Sequence, residues 1–210
     1  MEKRSSNYTE ILILFLWSIY ILQFIFFSDF GSQYGTSPGD VFSSKFYTLV
    51  TSIFFHGSLF HLLSNSLALF IFGRIVEKHI GFHIVPLFFF GGIVANIFSH
   101  LFSYMLGDFF SSWGASGAIA SIILLAILME PFGLVLFVVP IAFLGWLLIY
   151  TDLTGIFRED TINQFAHLGG YFATFLLFAF IERKHVNKMK KGLLINILAI
   201  IGLYLILLYI

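Results

Sequence analysis

Four polar side chains in this chain have the types and spacing to do chemistry. Ser116 stands in "WGASGAIA", residues 113–120, a single hydroxyl among glycines and alanines. His61 and Asn65, in "FHGSLFHLLSNSLALF", are four residues apart and so share one helix face. His167 follows in "NQFAHLGGYFATF". A serine becomes a nucleophile when a base takes its proton, and imidazole titrates near neutral pH and can return that proton to a leaving group. An oxyanion formed on attack needs donors. His61 and Asn65 carry side-chain N–H groups, and a helix opening at Ser116 offers free amides and the positive end of its dipole. Gly114 and Gly117 permit a tight backbone around the nucleophile. The acidic residues Glu10, Glu77, Glu130 and Glu182 fall at the ends of apolar runs and the others in outside loops or the N-terminal tail. A Ser116/His167 pair working without a carboxylate is therefore the expected form.

The elements that must position these groups are membrane helices. The 210 residues are 59% hydrophobic and 10% charged, and the mean hydropathy of +0.97 lies outside the range of water-soluble domains. Apolar runs able to cross a bilayer occur near 10–28, 58–76, 82–106, 115–130, 132–150, 163–182 and 192–210. The stretch 46–73 is too long for one upright span, so its first dozen residues are expected in a membrane-embedded loop. The run 11–27 lacks a small-residue cleavage site and reads as a retained first span. With a cytoplasmic N-terminus, Lys3, Arg4, Arg74, Lys78, Arg183, Lys184, Lys188, Lys190 and Lys191 fall inside, and only Lys45 and Arg158 outside. Helices 2, 4 and 6 then run the same way. His61, Asn65, Ser116 and His167 all fall at their outer ends, at similar depth.

Taken singly, each residue has a plainer role. Small residues in membrane helices usually serve close packing, an asparagine can bridge helices, and a lone histidine is more often a structural donor than a base. Packing and chemistry converge here, because Ala166, Gly170 and Ala173 line one face of helix 6 while Gly117 and Ala120 keep helix 4 slim. Such helices can bring Ser116 Oγ to about 2.6–3.2 Å from a His167 nitrogen. The chain has no cysteine, which removes disulfides, thiolate nucleophiles and cysteine-held metals. No H-E-x-x-H motif and no basic face suited to nucleic acid occur, and nothing calls for a cofactor. A transporter or metal site built on His56, His61 and His167 ranks lower, because such sites recruit carboxylates.

Three blocks, "TSIFFHGSLFHLLSN" (51–65), "GASGA" (114–118) and "AHLGG" (166–170), resemble in kind and order those of the rhomboid intramembrane serine proteases. The resemblance implies an all-α polytopic fold: a six-helix core over 1–182, then a basic cytoplasmic loop and an additional C-terminal transmembrane helix over 183–210. It implies Ser116 as nucleophile, His167 as general base, His61 and Asn65 as oxyanion stabilisers, and His56 as structural beside the cavity, with Gly114, Gly117 and Gly170 as small residues around it. The implied substrates are transmembrane proteins, cut near the outer face of a membrane, here expected to be a prokaryotic cell membrane; no cofactor, metal or nucleic acid is implied. The loop Thr151–Asn163 would resemble the cap over the site, and helix 5, with Pro140 as a flexure, the lateral gate. Tyr47 and Thr48 replace a common Trp-Arg pair, Ala120 an aromatic that often stacks on the base, and Thr174 a glycine of helix 6. A rhomboid-like protein that binds membrane clients without cutting them is the alternative reading.

Overall fold

A backbone in hydrocarbon must satisfy its hydrogen bonds internally, and long runs of Leu, Ile and Phe do so as helices. In a computed structural model, residues 7–26, 29, 33–40, 43–107, 111–135, 139–156, 163–177 and 183–208 are described. Among them seven long helices follow in order, besides short helical turns at Thr48–Thr51, Ser52–Phe54 and Gly81–His83: α1 (Tyr8–Phe26), α2 (Leu59–Ile80), α3 (Ile84–Leu106), α4 (Ser116–Met129), α5 (Ile141–Gly155), α6 (Gln164–Leu176) and α7 (Arg183–Leu208). Apart from a two-residue antiparallel pair, β1 (Leu134–Val135) with β2 (Val139–Pro140), the fold is all-α. α1 and the nearly continuous run from Leu59 to Leu106 are long and apolar enough to cross a bilayer. Phe15, Phe24, Phe60, Leu67, Phe143 and Tyr204 point outward from the helices and are exposed, as lipid-facing side chains are. The protein is a helical membrane protein.

At the centre stands α4. Every residue from Gly117 to Met129 is buried, enclosed by α2, α3, α5, α6 and α7. Its 14 residues give a rod of about 21 Å against a hydrocarbon core of about 30 Å. Close packing on α6 rests on absent side chains. A Cβ at Gly170 would run into the Gly117 carbonyl oxygen and lie 2.9 Å from Ala120 Cβ. Thr174 ties these helices together at the next level, its hydroxyl donating to the Ser121 carbonyl at 2.9 Å.

The two ends of the bundle differ in chemistry. At one end Glu77 is buried at the start of α1, accepting from the amides of Tyr8 (3.0 Å) and Thr9 (2.9 Å) and from the Thr9 hydroxyl. A carboxylate there satisfies orphan amides and opposes the helix dipole. Arg74 pairs with Glu10 at 3.3 Å. Lys188 of α7 and His79 of α2 meet Glu130, just beyond α4, at 3.1 and 2.8 Å. The opposite end carries the segments flanking α2 and α4. There the 36 and 112 backbones pair through bonds of 2.9 and 2.8 Å, and Gly114 N–H donates to Ser52 O at 2.9 Å. Thr48, standing where the family often has arginine, is buried beside Thr36 and Asp40, and Thr36 Oγ1 lies 2.6 Å from His100 Nε2. This network pins the first loop to α3.

Two expectations about boundaries change. Helix 5 is expected at 132–150 with a cap loop from Thr151, but α5 runs Ile141–Gly155, because a turn at 131–132 and the strands β1 and β2 take up the first part of the apolar run. Pro140 precedes the helix rather than bending it. The basic stretch from Arg183, expected as a loop, forms the first turns of α7. The remaining cap residues 157–162, with Lys3, Arg4, Arg158 and Glu182, lie outside the described residues. A Gly170→Ala variant is expected to lose about 1–3 kcal/mol of stability through overpacking. Gly202→Ala, where an added Cβ meets nothing within 4 Å, is the matched control, and thermal unfolding in detergent compares the two.

Candidate active site

Ser116 opens α4, and the sequence before it explains why the helix starts there. Gly114 has φ +134, a conformation that favours glycine. A Cβ at Gly114 would also fall 2.7 Å from His61 Cε1 and 2.9 Å from Nε2, and 3.9 Å from Asn65 Nδ2. The histidine and asparagine of α2 thus lie over the backbone two residues ahead of the serine. Ala115, the N-cap of α4, has no side chain that could accept from the first amides, which fits them to meet a ligand.

A chain of buried contacts fixes α2's pair. Ser58 caps α2 by accepting from His61 N–H at 3.1 Å, which starts the helix so that His61 and Asn65 share the face toward Gly114. Asn65 Nδ2 lies 3.0 Å from His56 Nε2, and His56 Nδ1 lies 3.2 Å from Phe54 O. A protonated Nδ1 donating to Phe54 leaves Nε2 to accept from Asn65, consistent with both contacts. His56 is fully buried and its backbone is clamped by Gln23 of α1, which donates to His56 O at 2.6 Å and accepts from its N–H at 3.2 Å. His56 therefore holds Asn65 rather than lining open space. The His56 and His61 rings meet edge to face at 5.0 Å.

His167 lies one turn into α6. Asn163 caps that helix, accepting from Ala166 N–H and from the Ser99 hydroxyl of α3, each at 3.0 Å. Gly117 faces Ala166, with a hypothetical Cβ 3.3 Å from the Ala166 carbonyl, so the residues after Ser116 and before His167 touch through backbone. The structure thus brings the start of α4 to His61 and Asn65 on one side and to the turn carrying His167 on the other. Among the described residues no hydrogen bond joins Ser116 to His167; such contacts are often long until a substrate binds. A small cleft of mixed lining adjoins the serine, with Asn96, Ser112 and Asn163 beside Trp113, Ala118 and Ala166.

The expectation that no carboxylate accompanies His167 is overturned. His167 Nδ1 lies 2.8 Å from Asp152 Oδ1, and the Tyr171 hydroxyl donates to Asp152 Oδ2. Both side chains of the His167–Asp152 pair are largely enclosed, 15% and 14% exposed. The error followed from the boundary of α5: an aspartate assigned to a loop over the site lies in the last turn and a half of a helix packed on α6. The signal was present in "LLIYTDLTG", whose apolar content carries past Tyr150, and in Tyr171, four residues after His167 and on its face.

Residues 43–185, more than half of the chain, match the Rhomboid domain family. A curated relative, "RHOMBOID-like protein 12, mitochondrial" of Arabidopsis thaliana, is 29% identical over 178 residues. The match covers 75% of this chain and 52% of the relative, so the chain spans about half the length of that relative. His61, Asn65, Ser116, Asp152 and His167 all fall within the matched stretch, and the chain belongs to the rhomboid family.

Proposed function

We propose that the protein is an intramembrane serine endopeptidase that cuts transmembrane-helix substrates. The observation that carries this reading is the convergence of an uncapped helix start bearing Ser116 with two N–H-bearing side chains on α2 and an imidazole on α6. In the proposed reaction Ser116 Oγ attacks the scissile carbonyl carbon while His167 takes the hydroxyl proton. The carbonyl electron pair moves to oxygen, where His61, Asn65 and the first amides of α4 supply donors. Collapse of the adduct expels the amine, which leaves with the proton from His167, and an acyl ester remains on Ser116. Water then attacks that ester with His167 as base, releasing the acid and restoring the serine.

In the proposed topology the seven helices form the six-helix rhomboid core over 1–182 and one additional span over 183–210, with the basic end cytoplasmic. Because α4 is about 9 Å shorter than the hydrocarbon core, a nucleophile at its start lies below the outer membrane surface. Water must then reach it through an opening with polar groups, and Asn96, Ser112 and Asn163 in the cleft beside Ser116 would serve that path.

The test is cleavage of a single-span substrate with an Ala-containing, helix-weak segment by purified protein in proteoliposomes. Ser116→Ala and His167→Ala are expected to abolish turnover while keeping the wild-type melting temperature, since neither truncation leaves a large void. His61→Ala and Asn65→Ala are each expected to slow cleavage by about 10-fold to 1,000-fold, the scale of losing one oxyanion donor. Several substrates left intact by well-folded wild type would favour instead a rhomboid-like protein that binds membrane clients, a reading to which the unjoined Ser116 and His167 would then belong.

A further inference from the structure

Asp152 is an ionisable group at membrane depth that the reaction above does not use. A carboxylate in such a place is costly and is retained where its charge is needed. Its two oxygens are divided between two donors of α6: Oδ1 faces His167 Nδ1 at 2.8 Å and Oδ2 accepts from the Tyr171 hydroxyl. Tyr171 is buried and sits one turn along the same helix, so it fixes the rotation of the carboxylate toward the imidazole. A carboxylate only accepts, so the ring nitrogen facing it must carry the hydrogen. That assignment leaves Nε2 as the bare nitrogen, able to take a proton.

Resting on the protease reading, we propose that Asp152 is the positioning residue of the base, selecting the His167 tautomer and stabilising the imidazolium formed when the Ser116 proton arrives. The proton passes from Ser116 Oγ to Nε2 and later to the leaving amine. Asp152 stays ionised throughout and never receives it. The arrangement makes Ser116, His167 and Asp152 a three-residue constellation, with Tyr171 orienting the third member. The aspartate also rides on a different helix from the base. α5 leans only lightly on α4 and α6, and displacing it from α6 would part Asp152 from His167, so the base is competent while α5 is seated.

A purely structural tether between α5 and α6 predicts different results. Asp152→Asn keeps the shape and an oxygen able to accept from Nδ1–H, but removes the charge. In the proteoliposome assay its kcat is expected to fall about 100-fold or more, as for loss of an orienting aspartate elsewhere. KM and melting temperature stay near wild type, and labelling of Ser116 by a fluorophosphonate slows in parallel. Solid-state NMR of ring-15N-histidine protein, with His167 assigned by difference from His167→Gln, reads the tautomer without reference to activity. Wild-type His167, in its neutral form, is expected to carry its hydrogen on Nδ1. Asp152→Asn turning over within about threefold of wild type, or a neutral His167 protonated on Nε2, would overturn the proposal. Should Asp152→Asn fail to fold, a neutral wild-type His167 protonated on Nε2 still overturns the proposal. Wild type that neither cuts nor labels sinks the protease reading instead, and the tautomer still judges the orienting contact.

Discussion

Where α4 meets α6, backbone rests on backbone, because the Gly117 carbonyl occupies the space that a side chain at Gly170 would need. This approach is the constraint from which the site follows. It sets how far the first turn of α4 stands from the second turn of α6, and hence how far Ser116 stands from His167. The same slimness lets α4 be enclosed by five helices at once. In hydrocarbon such packing is held by dispersion contacts and interhelical hydrogen bonds, since apolar side chains gain little by leaving lipid for each other. Thr174 donating to the Ser121 carbonyl adds one such bond at the next level down.

The polar groups form a second layer of constraint, since each must find a partner inside the bundle. No buried side-chain nitrogen or oxygen among the described residues lacks one. The solutions run across long sequence separations: Gln23 to the backbone of His56, Asn96 to Leu49 O and the Ser52 hydroxyl, Glu77 to the start of α1. These contacts place α2 and the loop before it in a fixed relation to the serine. The additional helix takes part in the same economy. Asn196 of α7 accepts from Trp146 Nε1 of α5 at 2.7 Å and donates to Ile127 O of α4 at 3.1 Å. Gly192 permits this approach, since a Cβ there would run into the Leu128 carbonyl. α7 thus packs against α4 and is tied to α5 through Trp146.

The candidate site residues stand out in the sequence because polar side chains are rare in so apolar a chain. Ser116, His61, Asn65 and His167 could be placed at one depth by counting helix directions alone. The close α4–α6 face was legible too, through the spacing of Gly117, Ala120, Ala166 and Gly170. What periodicity does not carry is the pairing of residues across helices. Gln23 reads as one more polar residue on a first span, and nothing local says that it clamps a loop 33 residues away. Asp152 was hidden for a different reason: hydropathy blurs the ends of spans, and a misplaced end turned a helical residue into a loop residue. His56, expected beside the cavity in a structural role, is fully enclosed, and side-chain type alone does not tell an exposed imidazole from an enclosed one.

The complete enclosure of α4 separates it from the lipid. Helices that touch lipid respond to a thicker or thinner bilayer by tilting or by drawing the membrane around themselves. α4 presents no side chain to the acyl chains from Gly117 to Met129, so a change of thickness reaches it only through its neighbours. A polypeptide helix arriving from the lipid, by contrast, adjusts directly to that thickness. On the protease reading proposed above, the chain would carry its own ruler: the position at which a substrate helix meets Ser116 would be counted from the protein's frame, and membranes of different thickness would present different residues of that helix to it.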